Sequence, residues 1–253
     1  MYPILFKIGP LTIHTYGVML AAAFFLALAL AVKQARKEGI APERIVDLGL
    51  YLLVAAIVGS RLLFVLTDLQ YYIENPLKIF MIWEGGLVFY GGLILGIPVG
   101  IYYIKRQKLP LWKVGDIIAP SISIAQAVGR LGCFSAGCCY GKPTTLPWGV
   151  TFRDPDSLAR LNIPLHPTQL YESLGTFLIF LFLILMRKKK SFDGQLIWLY
   201  VLSYSVLRFL IEFFRGDEIR GMFFEGPLST SQAIGIPLAI ISTYMLFRLK
   251  RAK

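Results

Sequence analysis

The sequence predicts an all-α polytopic membrane protein with seven transmembrane helices, its N-terminus outside and its C-terminus cytoplasmic. Three observations predict it. Hydrophobic residues make up 56% of the 253 and the mean hydropathy is +0.64, well above the roughly 45–50% apolar content of a soluble domain. Seven apolar windows approach the ~20 residues that a hydrocarbon core demands. Between them, basic residues are rich in one connecting segment and sparse in the next.

The windows are 13–32, 45–66, 86–104, 114–134, 168–186, 195–214 and 228–247. The second, fourth and sixth are the least apolar, as suits helices that turn polar side chains toward a bundle interior. Pro98, Pro120 and Pro237 fall inside windows and predict kinks. Segments 33–44, 105–113, 187–194 and 248–253 hold sixteen Lys and Arg, whereas 1–12, 67–85, 135–167 and 215–227 hold seven. Basic loops stay in the cytoplasm, and this bias sets the orientation. The chain reads as one integral membrane domain, 1–253, with outer loops 67–85, 135–167 and 215–227 and no internal repeat. The first apolar run is too long for a signal-peptide core and leads into a basic segment, so no cleaved leader is expected. The net charge of +11 is spread over short loops, which argues against nucleic acid as a partner.

The remaining three arginines, Arg61, Arg130 and Arg208, lie inside windows, four to six residues before the outer ends. At 1.5 Å per residue they share a depth of roughly 6–9 Å. An Arg in the membrane core costs at least ~2.5–3.5 kcal/mol. Snorkelling to the interface is one reading, and pairing of Arg208 with Glu212, one turn on, is another. A guanidinium cluster in a low-dielectric pocket otherwise wants a planar oxyanion, and phosphate fits its donor fork. At the outer boundary the abundant phosphate is a phospholipid headgroup. His14, Tyr16, Tyr90, Tyr171 and Glu172 fall near the same level, and Tyr204, Arg208 and Glu212 share one helix face.

Cys133, Cys138 and Cys139 are the only cysteines. Their spacing matches no strong zinc pattern, so no metal is expected. A disulfide on the oxidising side and packed thiols are the alternatives. The Gly-rich stretch 83–92 serves either close ligand approach or helix packing through small residues. The run His166-Pro167-Thr168-Gln169 reads as a helix start.

Gly129-Arg130-Leu131-Gly132-Cys133-Phe134, continuing to Gly141, resembles the signature of the prolipoprotein diacylglyceryl transferase family. So do Ile13-His14-Thr15-Tyr16-Gly17, Gly59-Ser60-Arg61, the stretch 83–92 and Asp116-Ile117-Ile118-Ala119-Pro120. Pro167-Thr168-Gln169-Leu170-Tyr171-Glu172 and Arg208-Phe209-Leu210-Ile211-Glu212-Phe213-Phe214-Arg215 complete the series, in the family's order and across most of the chain. The resemblance implies a seven-helix enzyme of the bacterial plasma (inner) membrane, its active site facing the outer leaflet. Such an enzyme transfers the diacylglyceryl group of phosphatidylglycerol to the lipobox cysteine in the signal peptide of a prolipoprotein and releases glycerol phosphate, without a cofactor.

By resemblance, Arg130 binds the headgroup and Arg208 is essential, and Tyr16, Tyr204 and Glu212 match functional positions. Some members carry His at the position of Tyr90, and the better-known signature has Asn at Cys133 and Glu at Cys138. These departures leave open a transferase of the same fold with a different acceptor. A lipid-binding or transport protein is the non-catalytic alternative, but it would place polar residues near the midplane and show inverted repeats.

The chemistry expected is attack of a thiolate on carbon, with charge collecting on the departing phosphate. Arg130 and Arg208 would stabilise that charge, Arg61 would support them, Tyr16 and Tyr204 would orient the headgroup, and Glu212 would hold Arg208. For the base there are three options: His14, which titrates near neutrality, Tyr90, and no base at all.

Overall fold

The computed structural model describes residues 2–9, 11–216 and 229–251. The predicted outer loop 215–227 therefore lies, from 217 on, outside the described residues, as does the first residue of the last window. A short antiparallel hairpin, β1 (Ile4–Ile8) and β2 (Leu11–His14), precedes helix α1 (Thr15–Lys37). Then come α2 (Pro42–Thr67), the short α3 (Leu69–Glu74), two 3-10 turns (Pro76–Phe80 and Ile82–Glu84), α4 (Phe89–Arg106) and α5 (Leu111–Ala136). Two-residue strands β3 (Val150–Thr151) and β4 (Pro164–Leu165) pair within the next loop, and α6 (Thr168–Arg187), α7 (Gln195–Glu212) and α8 (Thr230–Arg251) follow.

The seven windows fall on α1, α2 and α4–α8. All of these helices but α4 are long and apolar enough to cross a membrane, which makes the chain a polytopic membrane protein. Helix α4 has 18 residues ending in Lys105 and Arg106. At 1.5 Å per residue it is about 27 Å long, near the thickness of a hydrocarbon core. Its start moves from the expected 86 to 89, because Gly85 and Gly86 hold φ of 88° and 76° and cannot be helical. Large apolar side chains such as Phe25, Ile94, Leu185 and Ile240, each at least 65% exposed, cover the helices. Water tolerates no such continuous apolar surface, and lipid does.

The chain divides into two compact units, Met1–Ala31 with Gly115–Lys253, and Val32–Val114. In the second unit α2 and α4 meet glycine to glycine. A Cβ at Gly59 would overlap the Gly91 carbonyl and one at Gly91 would overlap that of Gly59, so the backbones touch. The helix-packing reading of this part of the Gly-rich stretch holds, through small residues that let helices approach closely.

In the first unit α7 is started by a residue from α5. Asp116, 1% exposed, accepts hydrogen bonds from the amides of Gly194 (2.8 Å), Leu196 (2.8 Å) and Ile197 (3.0 Å), three donors that a helix N-terminus leaves without intrahelical partners. Lys190 adds an ion pair at 3.3 Å. Burial pushes the Lys190 ammonium down, but Asp193 and Asp116 outweigh it and hold the group above the usual lysine value. Asp116→Ala is expected to destabilise by on the order of 1–3 kcal/mol, the cost of leaving buried donors unpaired. The check is a lower Tm in detergent, with Asp116→Asn falling between the two.

Candidate active site

Helices α5, α6 and α7 are sewn together by side chains that face one another across the first unit. Ser123 Oγ donates to the Thr176 carbonyl (2.7 Å) and Ser173 Oγ to that of Ala127 (2.8 Å), locking α5 to α6. Tyr200 donates to Gln126 Oε1 (2.8 Å), locking α7 to α5, and the Tyr200 and Tyr204 rings stack at 6.0 Å. One turn further along α5 stands Arg130. Its Nη2 lies 2.8 Å from Glu172 Oε1 of α6, and Tyr204 of α7 donates to the same oxygen at 3.1 Å. Glu172 is 3% exposed and Arg130 20%. One carboxylate thus fixes a guanidinium and a phenol from two other helices, while the rest of the Arg130 fork has no partner among the described residues.

One turn beyond Tyr204, Arg208 extends the same face. Its Nη2 donates to Ser231 Oγ of α8 (3.0 Å) and lies 2.7 Å from Glu212 Oε2. The pairing of Arg208 with Glu212 read from their spacing is therefore present. Arg208 Nη1 is buried without a hydrogen-bond partner among the described residues. A buried unpaired guanidinium nitrogen is costly, and the chemistry that satisfies it is an anionic oxygen.

Helix α5 ends at Ala136, where Gly137 takes φ 78°. A Cβ there would overlap the Ser157 hydroxyl. The chain then doubles back, and the Cys138 amide donates to the Cys133 carbonyl at 3.2 Å. The sulfurs of Cys133, Cys138 and Cys139 all lie within 4.8 Å of one another, as free thiols. The S–H groups of Cys133 and Cys138 hold the Cys139 thiol well below the usual range against its burial, with Arg130 and Arg215 adding to the effect, while hydrogen bonding to its neighbours and burial push Cys138 up. The loop that follows has its own core of Phe152, Ala159 and Leu165. It is tied to the ends of α6 and α7 by Gly141 N–H to the His166 carbonyl (3.0 Å) and Lys142 N–H to that of Phe214 (2.8 Å).

Of the other expected site residues, Tyr16 lies on α1 against Gly132, where an added Cβ would stand 3.3 Å from its ring, and within electrostatic reach of Arg130 and the cysteines. His14 stands immediately before the first residue of α1. It closes strand β2, exposed, with no side-chain partner among the described residues. Tyr90 belongs to the second unit, where it opens α4 with its ring 5.9 Å from that of Phe89.

Arg61 also lies in the second unit, and the expectation that it supports headgroup binding is corrected by its contacts. Nε donates to the Ile79 carbonyl (2.9 Å), Nη1 to those of Gly85 (2.7 Å) and Gly86 (3.1 Å), and Nη2 to those of Lys78 and Met81 (3.3 Å). Its guanidinium also rests on the rings of Phe64 and Tyr72, 5.6 and 5.5 Å from their centroids. A guanidinium has five N–H groups, and all five are taken. Arg61 is a clamp for the loop 76–86 rather than an anion ligand. Arg61→Ala is expected to expose this loop, seen as faster amide exchange over 76–86, and Arg61→Lys to rescue little of it.

Sequence reasoning missed Glu172 as the partner of Arg130. The signal was present: an acidic residue four positions into an apolar helix has to find a cation. It also undervalued Thr168 and Gln169, whose side chains donate to the carbonyls of Cys139 and Cys138, both at 2.7 Å.

A polytopic helical membrane protein with a half-buried guanidinium–carboxylate–phenol constellation, a second guanidinium with a spare nitrogen and a thiol cluster beside them has the features of a membrane-embedded enzyme for an anionic substrate. Residues 3–248 match the family model for prolipoprotein diacylglyceryl transferase. Proteins named phosphatidylglycerol–prolipoprotein diacylglyceryl transferase are similar over nearly the whole length. The one from Clostridium tetani is 39% identical, covering 97% of this chain and 96% of that protein. That from Geobacter sulfurreducens is 33% identical (99% and 96%) and that from Finegoldia magna 36% (97% and 95%). The chain belongs to the prolipoprotein diacylglyceryl transferase family.

Proposed function

We propose that the protein transfers the diacylglyceryl group of phosphatidylglycerol to the lipobox cysteine of a prolipoprotein at the outer leaflet of the bacterial inner membrane. The observation that carries this reading is the pair Arg130 and Arg208: among the described residues the first is held by Glu172 with the rest of its fork unpartnered, and the second has a buried Nη1 without an acceptor. The acceptor sulfur, as thiolate, attacks the glyceryl carbon that bears the phosphate. A C–S bond forms, the C–O bond breaks with its electron pair going to the phosphate oxygen, and the thiol proton goes to water or to His14. The headgroup enters as a monoanion and leaves as a dianion, so each guanidinium interacts more strongly at the transition state than in the ground state. Tyr204 and Tyr16 orient the headgroup, and Glu212 keeps Arg208 in place. The product carries two acyl chains, which anchor a protein where one would hold it only marginally. In this reading α4 completes seven spans, and the Lys- and Arg-rich segments face the cytoplasm.

The test combines the purified protein, phosphatidylglycerol and a lipobox peptide, and weighs the peptide. The expected result is a mass gain equal to one diacylglyceryl group. An unmodified peptide in the presence of folded protein would refute the acceptor assignment.

A further inference from the structure

The thiol cluster takes no part in the transfer reaction as derived above. Three sulfurs bound to one zinc-sized ion at about 2.3 Å stand a little under 4 Å apart. Cys133, Cys138 and Cys139 lie within 4.8 Å of one another without any ion, so convergence asks for small side-chain movements only.

The surrounding structure holds this arrangement in place. Cys139 sits at φ 58°, a left-handed conformation that a non-glycine residue rarely adopts. The strain is held by hydrogen bonds from Thr168 to the Cys139 carbonyl and from Gln169 to the Cys138 carbonyl, both 2.7 Å and both from side chains 1% exposed. Such outer contacts are what orient metal ligands. Three thiolates and a divalent cation sum to one negative charge, and Arg130 and Arg215 lie close enough to offset it. Among the described residues no fourth His, Cys, Asp or Glu joins the group. Three protein ligands with an open position are the pattern of a working site, whereas four would mark a structural one.

We propose that Cys133, Cys138 and Cys139 bind a thiophilic divalent cation of the zinc class, and that its open position takes the acceptor thiol. Coordination would release the thiol proton to water and leave the sulfur as a bound thiolate. That gives the acceptor thiol a means of ionisation. The second clause rests on the transfer function proposed above, and the first does not.

The experiment uses the full-length protein, purified in detergent with reductant and without chelator. Metal content is measured first, and the site is then reloaded with Co²⁺, whose thiolate complexes absorb strongly in the near ultraviolet. The expected results are one zinc-class ion per chain and a thiolate-to-cobalt band, both lost in the Cys138→Ser/Cys139→Ser double variant. The band should grow when a lipobox peptide with cysteine is added and stay constant with the serine peptide. No metal and no band overturns the site, as does a protein mass lower by two hydrogens, which marks a disulfide. A band indifferent to the cysteine peptide overturns the acceptor clause. Turnover without metal sinks the inference and leaves the function standing, whereas metal with folded protein and no turnover does the reverse.

Discussion

Arg130→Ala is expected to lower kcat/KM by about 10²–10³-fold, the usual loss when one aimed donor to a developing oxyanion is removed. The same substitution leaves Glu172, 3% exposed, without its cation. Breaking a buried pair from one side costs about 3–5 kcal/mol, so the variant should also melt earlier in detergent. The two effects are separable. Arg130→Ala combined with Glu172→Gln removes the stranded charge and should recover most of the Tm while turnover stays low. Arg130→Lys keeps the charge near Glu172 but presents one ammonium where a fork stood, so stability should be largely retained and turnover only partly. Full activity in a stable Arg130→Ala/Glu172→Gln enzyme would remove Arg130 from the reacting centre.

This outcome also shows what could be read from the chain and what could not. Helix positions were legible because lipid imposes one rule, a long apolar run, and each of the seven windows falls on a helix, six of them long and apolar enough to cross a membrane. The hairpin at Ile4–His14 was not expected, since the apolar window beginning at residue 13 absorbed its second strand. Depth along a helix follows from residue count alone, and that is the whole ground for expecting Arg61, Arg130 and Arg208 at one level. Depth does not say which way a side chain turns or what backbone meets it. Arg61 meets five carbonyls of a loop whose path depends on the positive φ at Gly85 and Gly86. Glu212 was legible as the partner of Arg208 because both stand on one helix, one turn apart. Glu172 was not legible as the partner of Arg130, because that pair joins two helices. The cysteines failed as a sequence motif for the same kind of reason. Their convergence depends on Gly137 and Cys139 in left-handed conformations and on two side chains of α6 about thirty residues away.

Arg208→Ala is expected to cost kcat on the order of 10²-fold or more, with KM changed less. The direction follows from where the charge appears. Phosphatidylglycerol binds as a monoanion, and the second negative charge arises only as the C–O bond breaks, so a donor aimed at that oxygen contributes mainly at the transition state. Arg208 suits this task because Ser231 and Glu212 occupy Nη2 and leave Nη1 buried and unpartnered among the described residues. Glu212→Gln keeps the shape and an acceptor oxygen but loses the charge that holds the guanidinium. It should therefore lower turnover by less than Arg208→Ala does, and Glu212→Asp should recover part of the loss. Arg208→Lys tests the fork itself: an ammonium cannot serve Ser231, Glu212 and a phosphate oxygen with one planar group, so kcat should stay close to that of the alanine variant. Steady-state kinetics with phosphatidylglycerol as the varied substrate distinguish these cases. A uniform rise in KM at constant kcat would assign Arg208 to headgroup capture alone and remove it from the bond-breaking step.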